Sequence, residues 1–294
     1  MAESAKTAPA QPVSFRGTAG TIHGDRWTPT GDVRGSLLLL HGGGQTRHSW
    51  RKSAPGLAAL GWDVTALDAR GHGESDWASD GDYRIDRFVD DLTAVIAQLA
   101  DDSVSPRPPV VIGASMGGIT GLVAEGENPG LLRALILVDI APRIEPTGVQ
   151  RISDFMGSAP DGFADLDEVA EAVSAYRGDA SRPANIDSLR RNVRTGANGR
   201  LFWHWDPAFT TSDRNLGDHA AMHARTTAAA SNVAIPTLLV WGAKSDIVDV
   251  QAVEELRTLI PHATTVTISD ATHMVVGDDN DTFVAGTAAF LAGL

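Results

Sequence analysis

Six short apolar runs recur along this 294-residue chain, separated by longer segments whose apolar residues fall at helical spacing. The runs are "SLLLLH" (36–41), "WDVTALDA" (62–69), "PVVIGA" (109–114), "LILVDI" (135–140), "TLLVWGA" (237–243) and "TTVTIS" (264–269). Within each run the apolarity is continuous rather than alternating, as in strands covered on both faces. The intervening segments "SAPGLAAL" (53–60), "DRFVDDLTAVIAQLA" (86–100), "MGGITGLVAEG" (116–126) and "VQAVEELRTLI" (250–260) read as helices. Strand and helix in alternation predict βαβ crossovers, hence an α/β fold with a mostly parallel twisted sheet flanked by helices. "VSFRGTAGTIHGDRW" (13–27) alternates more plainly and predicts an antiparallel edge hairpin.

Between Pro142 and Ala234 the strand rhythm stops. "DLDEVAEAVSAY" and "NIDSLRRNVRTG" carry amphipathic helical patterns, and "LGDHAAMHARTTAAA" a weaker one. Residues 142–234 are therefore expected to form a helical cap inserted into a core made of 13–141 and 235–294, with 1–12 a loose tail. The cap leaves the core close to the carboxyl end of a strand, where open α/β sheets bind ligands.

Composition narrows the function. With no cysteine, neither a disulfide nor a thiolate nucleophile or metal ligand is available. A net charge of −13 argues against nucleic acid and anionic membrane surfaces as partners. "SLLLLHGGG" stops after four leucines and "LLRALILVDI" is interrupted by Arg133, so neither reaches the length of a membrane span. "MAESAKTAPAQP" lacks the charged start and apolar stretch of a signal peptide. A cytoplasmic location is expected.

The run at 109–114 ends in Gly113-Ala114-Ser115-Met116-Gly117. A strand followed by Gly-x-Ser-x-Gly and a helix is a tight turn in which flanking side chains would collide, and it lifts the serine hydroxyl out of the sheet. The helix N-terminus beyond it presents unpaired N–H groups to an oxyanion. A serine nucleophile needs a base and a carboxylate to hold that base. Around this kind of turn the partners follow in chain order serine, acid, histidine. Of nine histidines, His273 follows the last strand run, in "ATHMVVGDDND". Asp246, in "VWGAKSDIVD", is the preferred acid because its distance from the strand gives a loop able to reach over the sheet. Asp139, ending "LILVDI", and Asp249 are the alternatives. Gly43, in "LLLLHGGGQTRHSW", and Met116 are expected to supply the oxyanion-hole N–H groups, with Gly44 next in line. His41 reads as structural.

These stretches, with "ALDARGHGESD", resemble the α/β-hydrolase superfamily in order and over nearly the whole chain from Val13. The likeness is to its capped bacterial branch of esterases, cofactor-free haloperoxidases, lactonases and carbon–carbon bond hydrolases. The resemblance implies Ser115 as nucleophile, Asp246 as acid, His273 as base, and Gly43 with Met116 as oxyanion donors. It also implies that Asp68, Arg70, His72 and Ser75 hold a loop. Serine at the turn, where dehalogenases and epoxide hydrolases of this fold carry aspartate, implies acyl transfer: hydrolysis of a carboxylic ester or lactone. The same triad would serve a perhydrolase, a carbon–carbon hydrolase or a ligand-sensing receptor. No metal spacing, phosphate loop or dinucleotide loop is present, so no cofactor and no metal is expected. In "RLFWHWDPAF" (200–209), Phe202, Trp203, Trp205 and Phe209 would either line a pocket for an apolar or aromatic small-molecule ester or form the cap's own core. Gly44, Trp203, Trp205 and Met274 are the candidate substrate contacts, and His204 is a further polar one.

Overall fold

The computed structural model describes residues 9–101, 107–177, 186–211, 219–273 and 280–294. The chain opens with β1 (Gln11–Arg16) and β2 (Thr21–Trp27), an antiparallel hairpin at one edge of the sheet. Residues 11 and 12, expected in the tail, thus belong to a strand. There follow β3 (Gly35–Leu40), α1 (Ala54–Ala59), β4 (Trp62–Leu67), α2 (Ile85–Asp101), β5 (Val110–Ala114), α3 (Met116–Glu127) and β6 (Ala134–Val138). After an excursion the core resumes with α7 (His219–Asn232), β9 (Thr237–Gly242), α8 (Val250–Leu259), β10 (Thr264–Ile268) and α9 (Asn280–Ala292). The strand order is β1-β2-β4-β3-β5-β6-β9-β10, parallel from β4 to β10.

Continuous apolarity in the runs corresponds to burial on both faces. Leu37 and Leu39 of β3 pack in the layer that holds α1 and α9, while Leu38 packs in the opposite layer with α2, α3, α7 and α8. All three are fully buried. Each such leucine contributes about 2 kcal/mol by leaving water. Among the described residues no helix is long and apolar enough to cross a membrane.

The excursion contains α4 (Pro146–Met156), α5 (Leu166–Arg177), β7 (Val193–Thr195), β8 (Leu201–Trp203) and α6 (Ala208–Thr211). Two expectations need correction. "NIDSLRRNVRTG" is a 3-10 turn over Ile186–Asn192 followed by β7, which pairs antiparallel with β8. The turn between them is glycine-rich, with Gly196 N–H donating to the Arg200 carbonyl at 2.8 Å and Gly199 at φ 77°. The segment 219–232, assigned to the cap, lies in the core layer. Its Ala229 backbone presses so closely on α3 that a Cβ at Gly126 would sit 2.3 Å from the Ala229 carbonyl oxygen. Small residues on both helices permit that approach.

Candidate active site

The turn at Ser115 is as crowded as its glycines suggest. A Cβ at Gly113 would lie 2.4 Å from the Gly117 carbonyl oxygen, and one at Gly117 would lie 2.5 Å from that of Leu40. Ser115 adopts φ 48°, ψ −116°, a conformation that L-residues seldom occupy and that a surrounding structure must enforce. Enforcement comes from the neighbouring strand, since Ser115 N–H donates to the Val138 carbonyl at 3.2 Å. The first helical bond of α3 runs from Ile119 N–H to the Ser115 carbonyl. The Met116 N–H therefore belongs to the unpaired start of the helix.

The loop after β3 passes beside the serine, where a Cβ at Gly42 would be 3.3 Å from Ser115 Cβ. Gln45 N–H closes a turn onto the Gly42 carbonyl at 3.1 Å. Gly44 N–H donates to His72 Nε2 at 3.2 Å, which commits it to the loop and away from substrate. Gly43 N–H makes no hydrogen bond among the described residues. Of the two glycine amides considered, Gly43 is the one still available.

Beneath this loop lie three neutral histidines. His41 Nε2 accepts from Ala69 N–H at 2.9 Å, and its Nδ1 faces the Gly42 carbonyl at 2.7 Å. His72 Nδ1 faces the Arg70 carbonyl at 3.0 Å, and His204 Nδ1 accepts from Gly73 N–H at 2.8 Å. Burial pushes the pKa of all three down, with that of His204 at about 4 and that of His72 well below the ordinary value. The loop after β4 is tied by its own polar groups. Asp68 accepts from Arg47 N–H at 2.7 Å and Glu74 N–H at 3.0 Å, and also pairs with the Arg47 guanidinium. Arg70 pairs with Asp91 of α2 at 2.6 Å, and Ser75 Oγ donates to the Asp68 carbonyl at 2.7 Å. Asp68, Arg70, His72 and Ser75 thus hold loops in place.

Asp246 was the carboxylate expected beside His273, and Asp139 stands there instead. His273 Nδ1 donates to Asp139 Oδ2 at 2.7 Å, and Asp139 is completely buried. The carboxylate receives two further donors: Gly242 N–H reaches Oδ1 at 2.8 Å, and Ser245 Oγ reaches Oδ2 at 2.5 Å. Backbone brings His273 over it, because the end of β9 meets the segment before the histidine. A Cβ at Gly242 would fall 2.4 Å from the Ala271 carbonyl oxygen. Asp139 follows β6 directly with φ 49°, and β6 adjoins β5, which Ser115 follows directly. Serine and acid therefore occupy the same edge of the sheet on adjacent strands.

Asp246 points elsewhere. Its Oδ2 is 2.7 Å from Arg151 Nη2 of α4, and its side chain is 38% exposed. A Cβ at Gly148 would sit 2.3 Å from the Asp246 carbonyl, so the loop after β9 is pinned to the cap helix. Asp249 Oδ1 caps α8 by accepting from Ala252 N–H at 2.7 Å. Of the three candidate carboxylates only Asp139 meets the imidazole. Ser245, its hydroxyl partner, was not anticipated; one serine in a polar loop carries no sequence signal of such a role.

For Trp203 and Trp205 the second of the two expectations, a buried core, is the one the structure shows. They stack on each other with centroids 4.9 Å apart, and their indole N–H groups donate to Ser158 Oγ and the Met156 carbonyl. Both are buried in the cap's own cluster with Phe163 and Val169. Met156 and Phe209 reach the loop after β3, the Met156 sulfur standing 3.6 Å and the Phe209 ring edge 3.8 Å from a Cβ built on Gly43. Met274 lies outside the described residues.

A sheet of this order with a strained serine between strand and helix defines a class, and the chain belongs to the alpha/beta hydrolase fold family, whose model matches residues 35–279. It is a hydrolase. Its relatives include "Esterase Rv0045c" of Mycobacterium tuberculosis, 30% identical over 274 residues, covering 89% of this chain and 84% of that protein. The "3-hydroxybutyrate-oligomer hydrolase" of Cupriavidus necator is 27% identical over 248 residues, covering 81% and 82%. An alpha/beta hydrolase of Novosphingobium aromaticivorans superimposes with a TM-score of 0.77 at 22% identity, covering 98% of this chain and all of that one.

Proposed function

We propose that the protein hydrolyses carboxylic esters through an acyl-enzyme, with Ser115 as nucleophile, His273 as base and Asp139 as the acid that orients it. The observation that carries this reading is the His273–Asp139 hydrogen bond of 2.7 Å, formed at the sheet edge where the Ser115 turn ends the adjacent strand. With Nδ1 engaged by a buried carboxylate, the imidazole keeps its Nε2 lone pair for a proton, the tautomer that general-base catalysis needs.

In the first half-reaction Ser115 Oγ attacks the ester carbonyl while His273 takes its proton. The tetrahedral oxyanion is received by the N–H groups of Gly43 and Met116. His273 then gives the proton to the leaving alcohol, and water repeats the sequence on the acyl-enzyme to release the acid. One oxyanion donor contributes about 3 kcal/mol to the transition state. Met156 and Phe209, beside Gly43, favour an ester with an apolar acyl or alcohol group. The relatives named an esterase and a 3-hydroxybutyrate-oligomer hydrolase support the same reaction class.

The test is fluorophosphonate labelling with peptide mapping, run beside a panel of short- and medium-chain aryl esters and lactones. The label is expected on the peptide containing Ser115. Ser115→Ala should lose both label and turnover, the latter by roughly 10⁴-fold or more. Label on another serine, or full turnover by Ser115→Ala, would remove the reading.

A further inference from the structure

A cavity of about 370 Å³ opens on the far side of the oxyanion loop from Ser115, between that loop and the cap hairpin. Ser115, Gly43, Met116, Asp139 and His273 are all absent from its wall. The rings of His204, His72 and Phe209 stand in series between it and Gly43, with successive centroids 5.9 and 5.1 Å apart.

Four guanidinium groups line this cavity: Arg47 on the loop, and Arg190, Arg191 and Arg194 on the cap. In a chain of net charge −13 that is a local reversal of sign. The acidic residues of the wall do not cancel it. Asp68 and Glu74 are both engaged by Arg47, which also meets Asp25 behind the wall at 3.2 Å. Arg191 and Arg194 have no carboxylate partner among the described residues. Arg191 is near enough to His48, across the cavity, for its charge to disfavour the imidazolium there. Arg194 is held from the side, its guanidinium carbon 4.9 Å from the Trp77 ring centroid and 5.2 Å from that of Phe202. Stacking of this kind fixes the guanidinium plane and leaves its N–H edge for a ligand. The wall also contains His204. Its Nδ1 accepts from Gly73 N–H, so the neutral ring carries its proton on Nε2, a buried N–H that faces the Gly44 carbonyl without closing a well-formed hydrogen bond.

The guanidinium groups of Arg191 and Arg194, without a carboxylate and with that of Arg194 fixed by stacking, are matched by oxygens that accept two parallel hydrogen bonds. We infer that this seam is a binding site for a small oxoanion, a carboxylate or a phosphate, held between Arg191 and Arg194 of the cap and the Thr46–His48 segment of the oxyanion loop. A bound oxoanion would link the cap hairpin to the loop that carries Gly43. The inference does not depend on the triad, because it concerns binding at a separate place.

Isothermal titration of the full chain at constant ionic strength provides the test, with inorganic phosphate in one arm and acetate and succinate in the other. Saturable binding in either arm supports the site, and the arm that saturates identifies which oxoanion it takes. Arg191→Gln, at an exposed position, should weaken binding about tenfold, and Arg191→Gln with Arg194→Gln about a hundredfold. Ser115→Ala should bind as the parent does. No saturable binding of any of the three up to about 10 mM, or unchanged affinity in Arg191→Gln, would overturn the inference.

Discussion

Two loops at the same edge of the sheet each carry a candidate acid, and they treat it in opposite ways. At the end of β6 the chain turns through φ 49° at Asp139 and buries its carboxylate completely under three donors. After β9 the chain runs outward, and Asp246 is 38% exposed in an ion pair with Arg151 of the cap. A carboxylate orients an imidazole only if it is itself immobile and desolvated, and only the first loop supplies that. The second contributes indirectly: its Ser245 hydroxyl donates to Asp139 and receives the N–H groups of Ile247 and Val248, both at 3.1 Å. Reach along the chain therefore does not say which carboxylate meets the imidazole; the donors gathered around the carboxylate do.

The contrast is broken most readily by exchanging charge for amide at each position. Asp139→Asn is expected to lower kcat/KM for an aryl ester by about 10⁴-fold, because the amide favours the wrong imidazole tautomer. Asp246→Asn should stay within about threefold of the parent, since an exposed ion pair contributes at most about 1 kcal/mol. Comparable losses in both would erase the distinction.

The sealed side of the edge also predicts a pH dependence of stability. His204 takes up a proton near 6.5 when unfolded but only at about 4 when folded, owing chiefly to burial. The folded state is therefore favoured above 6.5 and loses that advantage as pH falls toward 4. Roughly 2 kcal/mol should be lost by pH 5, above the ordinary carboxylate range, and His41 and His72 act with the same sign. Urea midpoints at pH 7.5 and pH 5 measure it; equal midpoints would mean these rings are not sealed.

A smaller effect sharpens the role of the second loop. Ser245→Ala removes one hydrogen bond to a charged acceptor, worth about 2 kcal/mol. It should reduce kcat about tenfold to thirtyfold with KM little changed. A change confined to KM would place Ser245 against substrate instead.

Much of this was legible in the sequence, for identifiable reasons. The strands announce themselves because both faces are buried, and Gly113, Ser115 and Gly117 because backbone contacts at 2.4 and 2.5 Å allow no other residue at the flanks. The loop-holding role of Asp68, Arg70 and His72 was legible only through the resemblance of "ALDARGHGESD" to the family. Asp139 carries less of a signal. It looked like the last residue of a strand, and its hydrogen bonds come from Gly242, Ser245 and His273, more than 100 positions away. The helix at 219–232 buries a face of alanine, so its apolar pattern is weak although its packing is close. The hairpin of β7 and β8 did carry a signal, the Gly196-Ala197-Asn198-Gly199 turn, which the apparent helical spacing around it obscured.

The hydrogen bond between His273 and Asp139 can be observed directly by proton NMR on protein labelled with ¹⁵N at histidine. A downfield proton coupled to His273 Nδ1 is expected in the parent, absent in Asp139→Asn and retained in Asp246→Asn. Its loss in Asp246→Asn, with the proton still present in Asp139→Asn, would show that the other loop holds the histidine and would contradict the account.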